Sequence, residues 1–306
     1  MRVMNTLKIL NLRLNTLIRN MCTSKNVILI EKMGSITTIG INRPEKRNCV
    51  DSTTAKLLKD AIEEFENDND SLVAVLYGTG GNFCSGFDME ELGNLESNSN
   101  VYNVQETGLM GLPCHVKKPT VAAINGYAVA GGLELALMCD LRIMEETAVV
   151  GLYGRRFGVP ITDGATVRLQ AMIGLSRALD MILTGRSLNA EEAFQWGMAN
   201  RIVACGTALG QAINLATSLV KFPQECLNVD RTSAYNAAYN NVYQQLLHEE
   251  RQNSQKVSVR NIVDGAKKFL SGLGRHGKTY NLTEKTICDW EKEFRVDNYS
   301  KPKSKL

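Results

Sequence analysis

Residues 119–140 read PTVAAINGYAVAGGLELALMCD, and the interpretation of the whole chain starts from this stretch. The apolar run Val121–Ile124 predicts a short strand, Asn125-Gly126 predicts a turn, and a helix is predicted to open at Gly131-Gly132. Because glycine has no side chain, a ligand can approach the backbone there, where the first N–H groups of the helix lack helical partners. Those donors favour negative charge, either a phosphate or an oxyanion that forms during a reaction.

Glu134 follows in the first turn of this predicted helix, and its immediate neighbours are apolar. A carboxylate in apolar surroundings beside unpaired N–H donors is a candidate acid/base next to an oxyanion site. The alternative is a glycine-rich helix start that carries a glutamate favoured by the helix dipole. This segment alone leaves both interpretations open.

The composition of the chain excludes several classes of protein. Its 306 residues allow one large domain or two small ones, with a core that needs no disulfides. The net charge of +3 is too small to indicate a nucleic-acid partner, and no apolar run is long enough for a membrane span. The eight cysteines are scattered without a C-x-x-C pair, which favours reduced, packed thiols in a cytosolic or matrix setting.

Residues 1–26 differ from the rest because they are basic, contain no acidic residue and carry leucines at helical spacing. A basic amphipathic helix without acids is typical of a mitochondrial presequence, so we expect the mature protein in the mitochondrial matrix. The alternative is a loose extension on a cytoplasmic protein. Imaging a fluorescent fusion of residues 1–30 distinguishes a presequence from a loose extension, since a diffuse cytosolic signal would contradict mitochondrial targeting.

The segment before the opening stretch predicts strands and one helix. Val27–Lys32 and Ile36–Ile41 predict a hairpin, and Leu72–Tyr77 predicts a third strand. Asp51 or Ser52 is a candidate N-cap for a helix that runs to about Glu66.

A second glycine-rich loop follows the third strand, with residues 78–89 reading GTGGNFCSGFDM. It is not a G-x-G-x-x-G motif and no dinucleotide-binding unit surrounds it, so we expect no nicotinamide site. Residues 93–104 are polar and rich in Asn and Ser, which predicts a mobile flap.

The chain resembles the crotonase superfamily, the enoyl-CoA hydratase/isomerase family, over about residues 27–225. The resemblance rests on Asn42-Arg43-Pro44, on Phe83–Asp88 within the second glycine-rich loop, and on residues 119–140. The later run 183–203, LTGRSLNAEEAFQWGMANRIV, matches as well.

This resemblance implies an α/β fold, a spiral of strand-strand-helix repeats that makes two roughly perpendicular sheets. It also implies a C-terminal helical region over 226–291, here followed by a tail over 292–306 that we expect to be disordered. Relatives of this kind commonly build homotrimers or dimers of trimers. The implied activity is that of an enoyl-CoA hydratase, a lyase of fatty acid metabolism, acting on acyl-CoA thioesters. Coenzyme A is part of the substrate, and no separate cofactor or metal is expected.

The family places a thioester oxygen between two backbone N–H groups, an oxyanion hole that by position here comprises Phe87 and Gly131. By the same resemblance the CoA arm follows the neighbouring loops, and the candidate binding residues are Arg47, Ser85, Gly86, Asp88, Met89 and Gly132. Lys46 could also face the phosphates with Arg47. The alternative for these two is a pair of solvated charges on an exposed turn.

The sequence departs from the family at the second catalytic carboxylate. Hydratases of the family use two glutamates; the first matches Glu134, but the second falls on Gly154, which cannot transfer a proton. The nearest replacement is Asp163, either as a catalytic acid or as an N-cap for the helix predicted from Ala165. Arg155 and Arg156 could pair with an acidic acyl group or with Asp163, or lie on the surface.

Other arrangements in the sequence carry weaker signals. The histidines, His115, His248 and His276, are far apart, so no zinc site is expected. Cys84 has no basic neighbour in sequence and is interpreted as a packed thiol. Thr232–Leu247 and Val257–Leu270 predict helices, which in this family cap an acyl pocket.

Three functions remain open from the sequence. The leading one is a hydratase with Glu134 as acid/base, aided by Asp163. The others are a different acyl-CoA reaction, such as hydrolysis, decarboxylation or isomerisation, and an acyl-CoA-binding protein without activity.

Overall fold

A computed structural model describes residues 26–95, 108–113, 115–239, 243–255 and 257–274 of the chain. The predicted presequence, apart from residue 26, lies outside these residues, as do the greater part of the predicted flap, His276 and the tail over 292–306.

The strands of the described residues form two sheets. The strands are β1 (Ile28–Met33), β2 (Ile36–Ile41), β3 (Val73–Gly78), β4 (Thr120–Ile124), β5 (Tyr127–Val129), β6 (Leu141–Glu145), β7 (Val149–Gly151), β8 (Ser187–Asn189) and β9 (Arg201–Val203). The larger sheet has the order β1-β2-β3-β4-β6-β9, and all its pairs are parallel except the β1–β2 hairpin. The smaller sheet has the order β5-β7-β8.

Helices connect and cover these strands. They are α1 (Ser52–Asn67), α2 (Met89–Gly93), α3 (Gly131–Met138), α4 (Ala165–Ile173), α5 (Leu175–Thr184), α6 (Ala190–Gln195), α7 (Ala208–Val220), α8 (Gln224–Tyr239), α9 (Tyr243–Ser254) and α10 (Val259–Leu270). Short 3-10 helices span Pro44–Lys46 and Tyr153–Phe157. None of the helices within the described ranges is both long enough and apolar enough to span a bilayer.

The inner strands β2, β3, β4 and β6 of the larger sheet are buried on both faces, which explains their nearly continuous apolar sequences. Successive side chains of a strand point to opposite faces. In β3, Val73 and Val75 therefore pack with α7 on one side, while Ala74 and Leu76 join the main core on the other. The predicted α/β class with two sheets is confirmed.

The predicted strands and α1 agree with the structure to within one or two residues. Asp51 is the N-cap of α1, since its side chain accepts a hydrogen bond from the Thr54 nitrogen at 2.8 Å. Two described helices, α8 and α9, cover most of the helix predicted over Thr232–Leu247, and residues 240–242 of that prediction lie outside the described residues. The rings of Tyr239 and Tyr243 stack at 4.3 Å.

Helix α10 returns to the core and packs on α2 and on the 3-10 helix Tyr153–Phe157. A side chain at Gly265 would overlap the carbonyl oxygen of Phe157, so the two backbones approach as closely as only glycine allows. The rings of Phe157 and Phe269 meet edge to face at 5.1 Å. This contact places the end of α10 over the site described next.

Candidate active site

A cavity of about 390 Å³ lies where the loop after β3, the start of α3 and the segment after β7 meet. Its lining comes from residues within segments 45–49, 85–92, 109–110, 127–134, 152–163 and 269–274. The cavity therefore brings together both glycine-rich loops of the sequence, Gly154, where the second family glutamate was expected, and the end of α10.

The two glycine-rich loops run side by side. The Cys84 nitrogen donates to the Tyr127 oxygen at 2.9 Å, and the Val129 nitrogen donates back to the Cys84 oxygen at 3.0 Å. Gly86 has φ +95°, and a Cβ there would lie 3.1 Å from the nitrogen of Gly131. The backbone after β3 is thus held directly against the first residue of α3.

Phe87 and Gly131 belong to the wall of the cavity, and their backbone amides are the two donors expected for the oxyanion hole. Both residues line the cavity, and neither amide donates a hydrogen bond to any other residue in the described part of the chain. The residues on either side of Phe87 are fixed, since the Gly86 oxygen accepts from the Val50 nitrogen at 2.9 Å and the Asp88 nitrogen donates to the Val50 oxygen at 2.8 Å.

Ala130 precedes Gly131 in a strained conformation, with φ +51° and ψ −126°. A residue with a side chain pays about 1–3 kcal/mol for such a conformation, and such residues cluster at functional sites. Its nitrogen donates to the Gly151 oxygen at 2.8 Å, and its oxygen accepts from the nitrogens of Leu133 and Glu134. These bonds hold the peptide that orients the amide of Gly131.

Glu134 is 4% exposed and lines the cavity from the first turn of α3. Its Oε2 accepts hydrogen bonds from the nitrogens of Asp163 at 2.7 Å and Ala165 at 3.3 Å, at the beginning of α4. The carboxylate therefore lies at the N-terminal ends of two helices, which both favour negative charge on it.

Asp163 lies beside Glu134, and its carboxyl group is buried. It accepts hydrogen bonds from the Met110 nitrogen at 3.1–3.2 Å and from the Thr162 hydroxyl at 2.8 Å. The N-cap residue of α4 is Gly164 and not Asp163, so the capping alternative for Asp163 is excluded. Burial raises the pKa of the Asp163 carboxyl above its ordinary value, although the bonds from Thr162 and Met110 partly oppose the rise.

Gly154, the position predicted for the second family glutamate, lines the cavity. Its oxygen accepts from the Val159 nitrogen at 3.0 Å. A Cβ at this position would lie 2.6 Å from the Val159 oxygen, a backbone atom. The loop 154–159 is therefore closed to any larger residue at 154 unless its backbone moves.

The two arginines after Gly154 point away from the cavity and do not line it. The Arg155 Nε donates to the Ile182 oxygen at 3.1 Å. Arg156 stacks on the ring of Tyr153 at 4.0 Å and donates to the Gly185 oxygen at 2.6 Å. The predictions that they pair with an acidic acyl group or with Asp163 have no support in this geometry.

Asp88 is held inside the wall of the cavity by basic groups. It caps α2 by accepting from the Glu90 nitrogen at 3.0 Å, and it pairs with Arg43 at 3.1 Å and Lys46 at 3.2 Å. Burial alone would raise its pKa, but the bonds from Glu90, Lys46 and Arg43 outweigh burial, and the pKa of Asp88 is lowered. Asp88 thus fixes the loop that carries Phe87.

Among the other predicted CoA-binding residues, Arg47, Ser85 and Met89 line the cavity. Lys46 also lines it, but its ammonium group already pairs with Glu90 at 2.7 Å. Arg47 is exposed, and its guanidinium lies 5.6 Å from the centre of the Tyr127 ring.

Gly86 and Gly132 do not line the cavity. A side chain on Gly132 would overlap the Cys84 oxygen, so this glycine allows α3 to pack on the second glycine-rich loop. The structure places both glycines in the packing of the site.

Several residues that line the cavity belong to no motif of the sequence, among them Met110, Tyr153 and Thr162. Phe269 also lines it, from the helix predicted over Val257–Leu270. Met110 approaches Asp163 across a separation of 53 positions, which no local pattern reveals.

Nucleophilic and metal chemistry receive no support from the described residues. Burial raises the pKa of the Cys84 thiol to about 12, and that of Cys49 to about 12, so both remain protonated. His115 contacts Arg231, whereas His248 contacts Gln252. The described part of the chain contains no group of His, Cys, Asp and Glu side chains able to hold a metal ion.

Comparison with known proteins agrees with this site. The family model described as enoyl-CoA hydratase/isomerase matches residues 31–273. A mevalonyl-coenzyme A hydratase of Aspergillus fumigatus is 33% identical over 63% of this chain and 72% of its own. A short-chain-enoyl-CoA hydratase of Clostridium acetobutylicum is 31% identical over 64% of this chain and 76% of its own.

Solved structures show the same fold. The enoyl-CoA hydratase of Mycobacterium tuberculosis H37Rv superposes with a TM-score of 0.68 at 30% identity, covering 77% of this chain and 97% of that one. The crotonase-like spiral expected from the sequence is thereby confirmed. The chain belongs to the enoyl-CoA hydratase/isomerase family, within the crotonase superfamily, and it is an acyl-CoA hydratase-type enzyme.

Proposed function

We propose that the enzyme adds water to the C2–C3 double bond of a 2-enoyl-CoA thioester, with Phe87 and Gly131 as its oxyanion hole and Glu134 as its acid/base. The proposal rests on one observation: Phe87 and Gly131, whose amides have no acceptor among the described residues, line the same cavity as a buried glutamate.

The two amides stabilise the charge that develops in the reaction. When a water oxygen bonds to C3, the electrons of the double bond move toward the thioester carbonyl and form an enolate oxygen. Preorganised N–H donors stabilise this enolate oxygen more strongly than they stabilise the carbonyl oxygen of the bound substrate. One such donor accounts for a factor of about 10²–10³ in kcat. The strained peptide at Ala130 maintains the orientation of one donor.

Glu134 carries the proton in this mechanism. Its carboxylate takes a proton from the water that adds to C3, and a proton is then delivered to C2, so that one water is consumed and no proton is gained or lost. Asp163 is the second proton-carrying group, since burial raises the pKa of its carboxyl and the residue also lines the cavity. The two carboxyl groups occupy different environments, an arrangement typical of paired acid and base roles.

The charges around the cavity favour an uncharged acyl group. Among the described residues that line the cavity, the basic ones are Lys46 and Arg47, which lie together on the loop expected to bind the CoA arm. The apolar residues of the lining include Leu109, Phe157 and Leu270. Apart from Lys46 and Arg47, a terminal carboxylate on the acyl chain would therefore find no cationic partner among the described lining residues.

The first prediction concerns the unmodified enzyme. Purified full-length protein incubated with crotonyl-CoA is expected to form the product with one added water, observed by mass spectrometry. Glutaconyl-CoA, a 2-enoyl ester that carries an acidic acyl group, is expected to react at least tenfold more slowly or not at all. Free CoA without hydrated product would indicate a hydrolase, loss of CO₂ a decarboxylase and a shifted double bond an isomerase. Binding without turnover of any ester would indicate an inactive binding protein.

We also propose that the enzyme is a homotrimer or a dimer of trimers. Leu175, Leu179 and Leu183 form one stripe on α5 and are 60%, 39% and 68% exposed. Apolar residues at this spacing, without a covering element among the described residues, support a contact with a second copy of the chain. Light scattering is expected to give a mass of three or six chains, and the mass of one chain would contradict the proposal.

A further inference from the structure

A tight turn over residues 108–111 binds the side chains of Thr162 and Asp163. The Gly111 nitrogen donates to the Gly108 oxygen at 3.0 Å and closes the turn. Its two central amides point outward: the Leu109 nitrogen donates to the Thr162 hydroxyl at 3.1 Å, and the Met110 nitrogen donates to both carboxylate oxygens of Asp163.

The first residue of the turn touches Asp163 as well. A Cβ on Gly108 would lie 2.5 Å from both Cγ and Oδ1 of Asp163, and 2.5 Å from the Thr162 oxygen. Any side chain at 108 must therefore displace the carboxyl group or the turn. Gly108 does not line the cavity, so such a change acts through Asp163.

The other end of the turn reaches the oxyanion site. Met110 is 1% exposed, and its side chain covers Gly131, because a Cβ on Gly131 would lie 2.6 Å from Cγ and 2.7 Å from Sδ of Met110. A single residue thus binds the Asp163 carboxyl with its amide and packs on Gly131 with its side chain.

We propose that the 108–111 turn is a positioning element of the reaction, in which Gly108 and Met110 hold the Asp163 carboxyl and the Gly131 amide in fixed relation to each other. This inference deepens the proposed function and rests on it. It adds two positioning residues that contact the reacting groups from a segment outside the family motifs.

The turn also sets the ionisation of Asp163. The charged groups that face Asp163 are Glu134 from α3 and Arg168 from α4, whose guanidinium donates to the Asp163 oxygen at 2.5 Å. The turn adds the amide of Met110, which carries no charge and favours the ionised carboxylate. Displacing this amide therefore raises the pKa of Asp163, and the limb of the pH profile that reports this group moves to higher pH.

The test compares Gly108→Ala with Gly210→Ala, a glycine of α7 with open space around it. In Gly108→Ala we expect kcat for crotonyl-CoA to fall at least tenfold and KM to change less than threefold. We also expect the limb of the pH profile that reports Asp163 to move to higher pH. Gly210→Ala is expected to leave kcat, KM and the pH profile unchanged. An unchanged kcat and pH profile in a folded Gly108→Ala enzyme would overturn the inference.

A second pair of variants covers the case in which Gly108→Ala does not fold. Met110→Ala removes the contact with Gly131, whereas Met110→Leu keeps most of the volume. We expect Met110→Ala to lose at least fivefold in affinity for acetoacetyl-CoA, whose enolate places charge at the oxyanion site, and Met110→Leu to restore most of it. Equal affinities in wild type and Met110→Ala would overturn the inference. This assay measures binding and needs no turnover. It therefore tests the inference even if the wild-type enzyme does not hydrate crotonyl-CoA.

Discussion

Replacing Glu134 by Gln is expected to lower kcat for crotonyl-CoA hydration by about 10³, within the range of about 10²–10⁴ that general acid–base groups contribute. Glutamine has the same shape, and its amide oxygen can still accept from the nitrogens of Asp163 and Ala165. It cannot take a proton from water. The enzyme should therefore remain folded and bind its substrate with a similar KM. Steady-state kinetics and thermal unfolding of both proteins measure the two effects separately.

The chain contains a matched control for this substitution. Glu145 is also buried, and its Oε1 accepts from the nitrogens of Gly206 at 2.9 Å and Ala208 at 3.4 Å, at the beginning of α7. This repeats the arrangement of Glu134 at the beginning of α4, but outside the cavity. Glu145→Gln is expected to keep kcat. If Glu145→Gln lost as much activity as Glu134→Gln, or if the latter kept its kcat, Glu134 would be a structural helix-end carboxylate.

The parts of the site that the sequence predicts are those encoded locally. Gly131 and Glu134 lie three residues apart, and the glycine, the helix start and the carboxylate follow from one continuous stretch. The same holds for the β1–β2 hairpin and for Asp51 as the N-cap of α1. In each case the interacting groups are close in sequence, so spacing and residue type are sufficient.

The parts that could not be predicted depend on contacts between distant segments. Nothing in the run 108–111 identifies Met110 as a partner of Asp163, because the turn matters only once the fold has brought it there. Asp88 illustrates the converse. Its position in a family motif suggested a contact with CoA, while the structure shows a helix cap that also pairs with Arg43, a residue 45 positions earlier.

Replacing Gly154 by Glu is the second large expected effect, and it concerns the position of the missing carboxylate. A simple view is that this change would restore the two-glutamate site and raise activity. The structure predicts the opposite, because the new Cβ would lie 2.6 Å from the Val159 oxygen. The backbone of the 154–159 loop must move, at a cost of about 1–3 kcal/mol in the free energy of unfolding. We expect a lower melting temperature and a kcat for crotonyl-CoA at least tenfold lower.

Gly154→Ala separates the steric effect from the carboxylate. Its methyl group meets the same carbonyl oxygen, so it is expected to destabilise the enzyme about as much as Gly154→Glu, while Gly210→Glu in open space is expected to leave stability and kcat unchanged. A Gly154→Glu enzyme with a normal melting temperature and a higher kcat would show that the loop accepts a carboxylate and that the second glutamate position still serves catalysis. The expected result would instead mean that this chain has closed that position, which leaves Asp163, on the next turn of the same cavity wall, as the remaining carboxyl partner of Glu134.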